Sequence, residues 1–267
     1  MKLSFTTLAC PAWPMVKIIT TAVACGYDGV DFRGYLGEMM IYKIPEFSTQ
    51  AGSTLRAFRK ANLEISGLSS GAKLFLGDSA QQEAALDEVA HYAELCRTFN
   101  CPLVRVFPGA IGSTPFEEAL EIATASLVKM ARLADDILIG VETHDDWVDS
   151  SKMLALMEKA GASNACVIWD THNPYRQIGE RPELTHQRLS RHIRYTHFKD
   201  SRPAADGSYS YVMPGEGDVP MERIVQMLKA SGYDGYLAVE WEKVWHPEIA
   251  EPEEVLPAYA KYLRKLI

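Results

Sequence analysis

The fold is decided by Ile137-Leu138-Ile139-Gly140-Val141-Glu142, an apolar run that ends in a carboxylate. Three later runs share this form, cover residues 166–170, 193–197 and 236–240, and end at Asp170, His197 and Glu240. Continuous apolar and β-branched runs of this length are typical of strands that are buried on both faces, as in a parallel sheet covered by helices. We therefore predict four buried parallel strands, each with a polar residue at its C-terminal end.

The spacing of these polar residues indicates a repeating unit. Asp170 follows Glu142 by 28 residues, and His197 follows Asp170 by 27. Each step has the length of one strand and its crossover helix, which is the unit of a βα barrel. The third step, of 43 residues, ends at Glu240 and leaves room for an insertion.

The first half of the chain continues the same alternation. Strand-like runs occupy residues 3–7, 29–33, 63–68 and 103–107, which brings their total to eight. Helical periodicity lies near residues 15–25, 53–61, 80–99, 115–134, 149–160, 182–189, 220–230 and 253–266. We predict an α/β fold, a (β/α)8 TIM barrel, as a single domain over residues 1–267. A doubly wound sheet is disfavoured, because Thr6-Thr7-Leu8-Ala9-Cys10-Pro11 stands where its glycine-rich phosphate loop belongs.

The composition limits the classes of partner. Hydrophobic residues make up 47% of the chain and charged residues 23%, as in an ordinary globular protein with a core. A net charge of −8 disfavours nucleic acid, whose binding depends on clusters of Lys and Arg. We see no signal peptide pattern and no run of about 20 apolar residues, so we expect a cytoplasmic protein without a membrane partner. The five cysteines lack zinc spacing, and most of them are expected to be small buried residues.

The four strand-end residues form a candidate metal site. Active sites of βα barrels lie at the C-terminal ends of the strands. Three carboxylates and one imidazole suit a hard or borderline divalent cation such as Mn²⁺, Co²⁺, Mg²⁺ or Zn²⁺. A cation also relieves the repulsion between carboxylates at low dielectric. The alternative for Glu142 and Glu240 is a helix cap or a surface ion pair.

Five short motifs carry a resemblance to a known family. They are Val141-Glu142-Thr143-His144, Trp169-Asp170-Thr171-His172-Asn173, His197-Phe198-Lys199-Asp200, Gly215-Glu216-Gly217-Asp218 and Val239-Glu240. In this order and at this spacing, the chain resembles the sugar phosphate isomerase/epimerase group of the xylose isomerase-like TIM barrels. That group includes ketose 3-epimerases, hydroxypyruvate isomerase and inosose dehydratase. The resemblance covers the whole chain, starting with residues 26–31 at the second strand.

The resemblance implies one divalent metal ion and a pair of proton-transferring glutamates. The implied ligands are Glu142, Asp170, His197 and Glu240, and the implied acid and base are Glu142 and Glu240. The chemistry of glutamate agrees, because one carboxylate oxygen can bind a metal while the other approaches a substrate proton.

Two further histidines are candidate substrate contacts. Familiar relatives carry a second histidine three residues after the metal-binding aspartate, and this chain has Asn173 there. His144 and His172 each lie two residues after a proposed ligand, and residues i and i+2 of a strand share a face. The alternative for both is a hydrogen-bonded structural role.

Residues 199–219 are the most individual part of the chain. The Asp206-Gly207 turn, followed by Tyr209 and Tyr211 in alternation, predicts a β-hairpin that overhangs the barrel mouth. Lys199 and Arg202 are candidates to bind a phosphate or carboxylate of the substrate, because βα loops carry function in barrels. A dimer contact or a solvated loop is the alternative.

Arg105 lies within the fourth strand-like run, between Val104 and Val106. A buried guanidinium must be paired, and Asp31 and Glu142 are the candidate partners. We interpret Arg105 as a residue that supports the site from behind its ligands.

These features predict a divalent-metal-dependent isomerase or epimerase that acts on a small sugar or keto-polyol. The metal holds a carbonyl and the adjacent hydroxyl, and a glutamate removes the intervening proton to give an enediolate. Expulsion of a β-hydroxyl makes an inosose dehydratase-like lyase the nearest alternative, and a non-catalytic sugar-binding barrel is another. A three-metal endonuclease IV-type site needs histidines on the early strands, and the runs before Glu142 contain none. The sugar, its phosphorylation, the native metal and a homo-oligomeric state stay open.

Overall fold

Eight parallel strands close into a barrel in the computed structural model, which describes residues 1–267. The strands in chain order are β1 (Lys2–Thr6), β2 (Gly29–Phe32), β3 (Glu64–Lys73), β4 (Leu103–Phe107), β5 (Leu138–Glu142), β6 (Ala165–Asp170), β7 (Ile193–Phe198), β8 (Asp200–Pro203), β9 (Tyr209–Val212) and β10 (Tyr236–Val239). β8 and β9 form a separate antiparallel pair, and the other eight follow one another around the ring until β10 meets β1. The predicted barrel is confirmed.

Nine α-helices separate the strands. They are α1 (Met15–Cys25), α2 (Ala51–Lys60), α3 (Ser79–Phe99), α4 (Phe116–Leu133), α5 (Ser150–Ala160), α6 (Asn173–Ile178), α7 (Pro182–Leu189), α8 (Met221–Ala230) and α9 (Pro252–Arg264). Their ends follow local chemistry. Asp149 accepts a hydrogen bond from the backbone amide of Ser151 at the start of α5, and Gly161 ends that helix with φ 54°. Each helix falls short of the length or the apolarity that a bilayer span demands.

The strands are covered on both faces, as their apolar runs predict. Every residue of β2 and of β10 is buried. Because successive strand residues point to opposite faces, this burial requires a packed barrel interior on one side and helices on the other. The sequence pattern of a parallel barrel and the burial therefore agree.

Two halves of the chain are compact in themselves. Met1–Ser66 with Thr196–Ile267 forms one half, and Gly67–Tyr195 forms the other. Both divisions fall inside barrel strands, within β3 and β7. The boundaries of a single domain at residues 1 and 267 stay a prediction.

Two elements differ from the predicted ones. The third strand was predicted to end at Leu68, but β3 continues to Lys73 with a register shift against β4 between Ser69 and Lys73. Small and polar residues in this extension hide the strand signal. The short helix α6 was not predicted, and it begins at Asn173, three residues after the end of β6, with Pro174 in its first turn.

The predicted hairpin is present in residues 199–219. Asp200 pairs with Val212 and Pro203 with Tyr209, and Gly207 takes φ 86° in the turn between them. The carboxylate of Asp200 anchors the returning chain, because it accepts hydrogen bonds from the amides of Gly215, Gly217 and Val219.

Candidate metal centre

The barrel brings the four predicted metal ligands together. β5 and β6 end at Glu142 and Asp170, His197 is the penultimate residue of β7, and Glu240 directly follows β10. One potential ligand atom from each residue lies within 4.8 Å of the other three, and all four residues are buried. Sequence spacing alone placed them at equivalent strand ends, and the closed ring of strands explains why equivalent ends meet.

This group fits a divalent cation. Ligands about 2.0–2.6 Å from such an ion stand about 3–5 Å from one another. The four candidate atoms all lie within 4.8 Å of one another. Nδ1 of His197 and Oε1 of Glu240 lie 3.3 Å apart, as neighbours in one coordination shell do. Buried carboxylates at such distances need positive charge nearby, and three carboxylates with one imidazole suit Mn²⁺, Co²⁺, Mg²⁺ or Zn²⁺.

Glu240 is held by two basic groups. Its Oε2 accepts a hydrogen bond of 2.6 Å from Nζ of Lys199, and its Oε1 faces His197. Burial alone raises the pKa of Glu240, but His197 and Lys199 outweigh it and lower that pKa well below the ordinary value. Glu240 is therefore a carboxylate, the form that binds a metal.

Glu142 has a cation of its own. Nη1 of Arg105 lies 3.3 Å from Oε2 of Glu142, and both side chains are 2% exposed. Arg105 also lies over the ring of Phe107, with Cζ 3.7 Å from the ring centroid. Of the two partners considered for Arg105 in the sequence, Glu142 is thus the one in contact.

Asp170 is oriented by the start of α6. Its Oδ1 accepts hydrogen bonds from the backbone amides of His172 and Asn173, at 2.8 and 2.9 Å. The backbone amide of Asp170 donates a hydrogen bond to Oγ1 of Thr143, which joins the ends of β5 and β6. The backbone amides at the N-terminal end of α6, a helix that was not predicted, therefore fix the orientation of the Asp170 carboxylate.

His144 lies outside the group of four residues. It is extended, with φ −146° and ψ 168°, but lies two residues beyond the end of β5. Its side chain is 37% exposed, and its ring packs on Phe107 with centroids 4.7 Å apart. Nδ1 of His144 lies 3.2 Å from Oδ1 of Asp145. Contact with a substrate stays a prediction for this residue.

His172 is fully buried, but it does not lie on a strand as predicted. β6 ends at Asp170, and His172 is helical, with φ −89° and ψ −46° at the start of α6. Its Nδ1 lies 3.5 Å from Oδ1 of Asn173. The alternation of strand faces therefore does not apply to it, and substrate contact at His172 stays a prediction without that support.

Lys199 and Arg202 occupy different environments. Lys199 is buried, and its Nζ bridges Oε2 of Glu240 and Oε1 of Glu242, the latter at 2.7 Å. Arg202 is exposed on the hairpin and donates to the carbonyl oxygen of Glu216. Anion binding by either residue stays a prediction. A substrate anion at Lys199 would have to compete with the carboxylates of Glu240 and Glu242 for the positive charge.

Sequence reasoning missed two acidic residues beside the site. Glu242 shares Lys199 with Glu240, and Asp145 contacts His144. Burial alone raises the pKa of the Asp145 carboxyl, but the His144 ring outweighs it and the net pKa is lowered. Glu242 lies two positions after the predicted ligand Glu240, and Asp145 lies three positions after Glu142. Their closeness in sequence to the strand ends was the signal that could have revealed them.

Proteins that are similar to this chain in sequence or in structure include dehydratases and an epimerase. An inosose dehydratase from Clostridium beijerinckii is 27% identical over 176 residues, which cover 56% of this chain and 55% of that protein. The chain thus spans about half the length of the curated relatives it matches. A probable 3-DHS dehydratase from Bacillus anthracis has 20% identity, a TM-score of 0.82 and coverage of 99% of both chains.

A third similar protein was solved with a sugar. D-allulose 3-epimerase from Methylomonas sp., in complex with D-allulose, has 14% identity and a TM-score of 0.77, and the match covers 100% of this chain and 97% of that one. At such identities the two solved structures show the fold alone. The family model of the xylose isomerase-like TIM barrels, however, matches residues 19–266 directly. The chain belongs to the xylose isomerase-like TIM barrel family.

Proposed function

We propose that the protein is a divalent-metal-dependent enzyme that removes water from a small polyhydroxylated cyclic ketone. The observation that carries the proposal is the buried group of Glu142, Asp170, His197 and Glu240, whose ligand atoms converge within 4.8 Å. A relative of 27% identity is an inosose dehydratase, and a neighbour of the same fold is a probable 3-DHS dehydratase. These similarities favour the dehydratase over the isomerase or epimerase among the outcomes of one shared first step.

Glu142, Asp170, His197 and Glu240 would hold the ion, which would supply Lewis acidity to polarise a substrate carbonyl and acidify the adjacent C–H bond. The remaining chemistry belongs to side chains. A base takes the proton from the carbon next to the carbonyl, and the electron pair of that C–H bond forms a C=C bond. The C–O bond to the β-hydroxyl breaks, and the leaving hydroxide takes a proton from an acid and departs as water.

The glutamate pair is our proposal for the base. Oε2 of Glu142 and Oε2 of Glu240 each lie beside a buried cation, Arg105 and Lys199 respectively, and a neighbouring cation favours the ionised form of a carboxylate. An ionised carboxylate can accept a proton, although a cation beside it weakens its basicity. The half-exposed His144 ring is our proposal for the acid at the leaving hydroxyl, because imidazole exchanges protons near neutral pH.

Epimerisation is the second candidate. It is favoured by two glutamates at the ends of β5 and β10, which can approach a substrate carbon from two sides, and by the fold shared with D-allulose 3-epimerase. The first proton transfer is the same in both reactions. The difference lies in the fate of the intermediate, which either loses the β-hydroxyl or receives a proton on the opposite face.

One experiment separates the candidates. The protein is incubated in heavy water with Mn²⁺ or Co²⁺ and a panel of keto-inositols and ketoses, and the products are analysed by mass spectrometry and NMR. Loss of one water from a keto-inositol supports the dehydratase. Deuterium incorporation with retention of that water, and a new epimer or isomer, supports the second candidate. If neither change occurs with any compound and the ion is bound, a non-catalytic sugar-binding barrel is the better interpretation. The control is the chelator-treated protein.

A further inference from the structure

An apolar groove with a volume of about 660 Å³ is lined by residues of α1 and α2 and of the segment before α2. We propose that this groove is the contact surface between two copies of the chain, which pack around a two-fold axis. The inference goes beyond the proposed function, because the groove contains none of the four residues of the metal group. All of its residues lie between Met15 and Ala61.

Helix α1 is apolar on its exposed side as well as on its buried side. Ile18 and Ala22 are fully buried, whereas Val16 and Val23 are 68% and 51% exposed. Ile19 also lines the groove, so the apolar residues on the groove side follow the spacing i, i+3, i+7 of one helix face. A helix that is apolar on both sides is typically covered on both. The exposed side of α1 therefore indicates a contact with another molecule.

Helix α2 supplies a wall of a different shape. Its end of the groove is lined by small side chains one turn apart, Ser53, Ala57 and Ala61. Small residues at this spacing leave a furrow on a helix, and a ridge of larger side chains from another helix can enter it. The same face thus offers a ridge on α1 and a furrow on α2. A surface with both features can pack against a copy of itself, as a two-fold interface requires.

The charges of the groove are self-complementary too. The ionisable residues that line it are Glu46 and Lys60, and neither forms a salt bridge within the chain. Glu46 is fixed beside the start of α2, because its carbonyl oxygen accepts a hydrogen bond from Oγ1 of Thr54. Lys60 ends that helix, about 9 Å further along its axis. A two-fold axis perpendicular to the groove reverses its direction and brings Glu46 of one protomer beside the partner's Lys60, twice in each dimer.

A second copy suits this face better than a strongly charged partner does. The chain has a net charge of −8, but the groove has one charge of each sign. A basic partner would be drawn to other parts of the surface, and an anionic partner would be repelled by the chain as a whole. The apolar ridge needs an apolar cover, and a second copy supplies one for both protomers at once.

The size of the face limits the affinity. Helix α1 is about 16 Å long, so the contact falls at the small end of specific protein interfaces. We therefore expect monomer and dimer to exchange, with a Kd of about 1–100 µM.

The first test measures the oligomeric state of the full chain by sedimentation velocity, at about 1 to 200 µM protein. Val16→Glu and Val23→Glu put a charge into the apolar contact, and glutamate suits a helix better than valine does. Leu133→Glu is the matched control, because Leu133 ends α4 outside the groove and is 45% exposed. We expect wild type and Leu133→Glu to dimerise equally and the two valine variants to raise the Kd by about 10-fold or more. Circular dichroism verifies that each variant is folded.

The second test exchanges the charges at low salt. Glu46→Lys or Lys60→Glu alone puts like charges into both contacts of its own dimer, so each should raise the Kd by about 3- to 10-fold. An equal mixture of the two variants pairs opposite charges in both contacts. The mixed dimer should therefore form in preference to either parent dimer, as measured by energy transfer between fluorophores on the two variants. Wild type labelled in two portions gives the statistical reference.

The outcomes do not depend on catalytic activity. A wild-type chain that stays monomeric at every concentration overturns the proposal and leaves the face to a partner other than this chain. A dimer with the same Kd in wild type and both valine variants also overturns it, because the contact then lies elsewhere. Dissociation in the valine variants without a preference for the mixed dimer overturns the two-fold pairing of Glu46 with Lys60, and with it the proposed arrangement.

Discussion

Nζ of Lys199 donates a hydrogen bond of 2.6 Å to Oε2 of Glu240, and both side chains are buried. Glu142, the other glutamate of the metal group, has the same kind of partner in Arg105. Each glutamate can therefore offer one oxygen to a metal while a cation balances the other. A carboxylate fixed in this way is a better ligand, because its orientation is set in advance.

Removal of the Lys199 charge should weaken metal binding. In Lys199→Met, burial of Glu240 is opposed by His197 alone, so the pKa of Glu240 rises and protons compete better with the metal. We expect an increase of about 10- to 100-fold in the Kd for Mn²⁺, measured by titration calorimetry. Lys243→Met is the control, because Nζ of Lys243 contacts Glu251 and backbone carbonyls instead. Equal affinities in the two variants would make Lys199 a packing residue only.

The metal group itself is tested by loss of its ligands. Asp170→Ala and His197→Ala should each reduce bound divalent metal strongly, because a group of four ligands loses a quarter of its donors. Metal content is measured by elemental analysis after dialysis against a limited supply of Mn²⁺. Asp136→Ala is the control, because Asp136 pairs with Arg97 at the surface. Full occupancy in both ligand variants would contradict the site.

The barrel was predictable because its signals are local and repeated. The apolar runs before Glu142, Asp170 and His197 have strand length, and their near-constant spacing specifies one crossover helix each. The convergence of the four candidate ligands followed, because polar residues at equivalent ends of parallel strands must meet at one end of a ring. The extension of β3 to Lys73 did not follow, since small polar residues carry no period that distinguishes a strand from a loop.

The surroundings of the ligands were less predictable. The choice of Glu142 over Asp31 as the partner of Arg105 depends on side-chain direction inside the barrel, which spacing does not define. The strand periodicity that was assumed for His172 was wrong for a different reason, because His172 lies at the start of α6 and not on a strand. The backbone of Asp145 is held by a distant loop through Gly109, and no pattern near Asp145 in the sequence announces it.

The hairpin should influence the choice of substrate without supplying the metal. Deletion of its tip at Asp206-Gly207, or Arg202→Ala, is expected to raise KM or to change preference among keto-inositols and ketoses, while metal content stays constant. The hairpin base should persist, because Asp200 holds the returning chain at Gly215 and Gly217. Unchanged KM and unchanged selectivity in both variants would mean that the hairpin forms an interface or has no role in catalysis.

Replacement of Gly109, in the loop that supports Asp145, should destabilise the folded protein. Its φ is 92°, and a Cβ at this position would lie 2.6 Å from the backbone carbonyl oxygen of Phe75, which cannot move aside easily. We expect Gly109→Ala to cost about 1–3 kcal/mol of unfolding free energy, measured by urea denaturation. Gly112→Ala is the matched control in the same loop, because it also has positive φ, at 54°, but has open space around it. A similar loss in both variants would mean that backbone strain alone sets the cost.

The two glutamates can be tested as proton-transfer groups apart from their role as ligands. Glu142→Gln and Glu240→Gln keep an oxygen that can bind the metal but remove the base. Exchange of the carbon-bound proton of the substrate with solvent should then fall by about 10²–10⁴-fold. Glu242→Gln is the matched control, since Glu242 also contacts Lys199 but is not a member of the ligand group.

The interpretation of the glutamine variants depends on metal content, which is measured on the same samples. A variant that loses both metal and exchange shows only that the glutamate is a ligand. A variant that keeps the metal and loses exchange shows that the glutamate moves the proton. Wild-type exchange with the metal retained would exclude that glutamate as the base. The cation beside each glutamate gives this last outcome a physical reason, because Arg105 and Lys199 lower the basicity of the carboxylates they contact. His144, with Asp145 at its Nδ1 atom, would then be the next residue to test for removal of the proton.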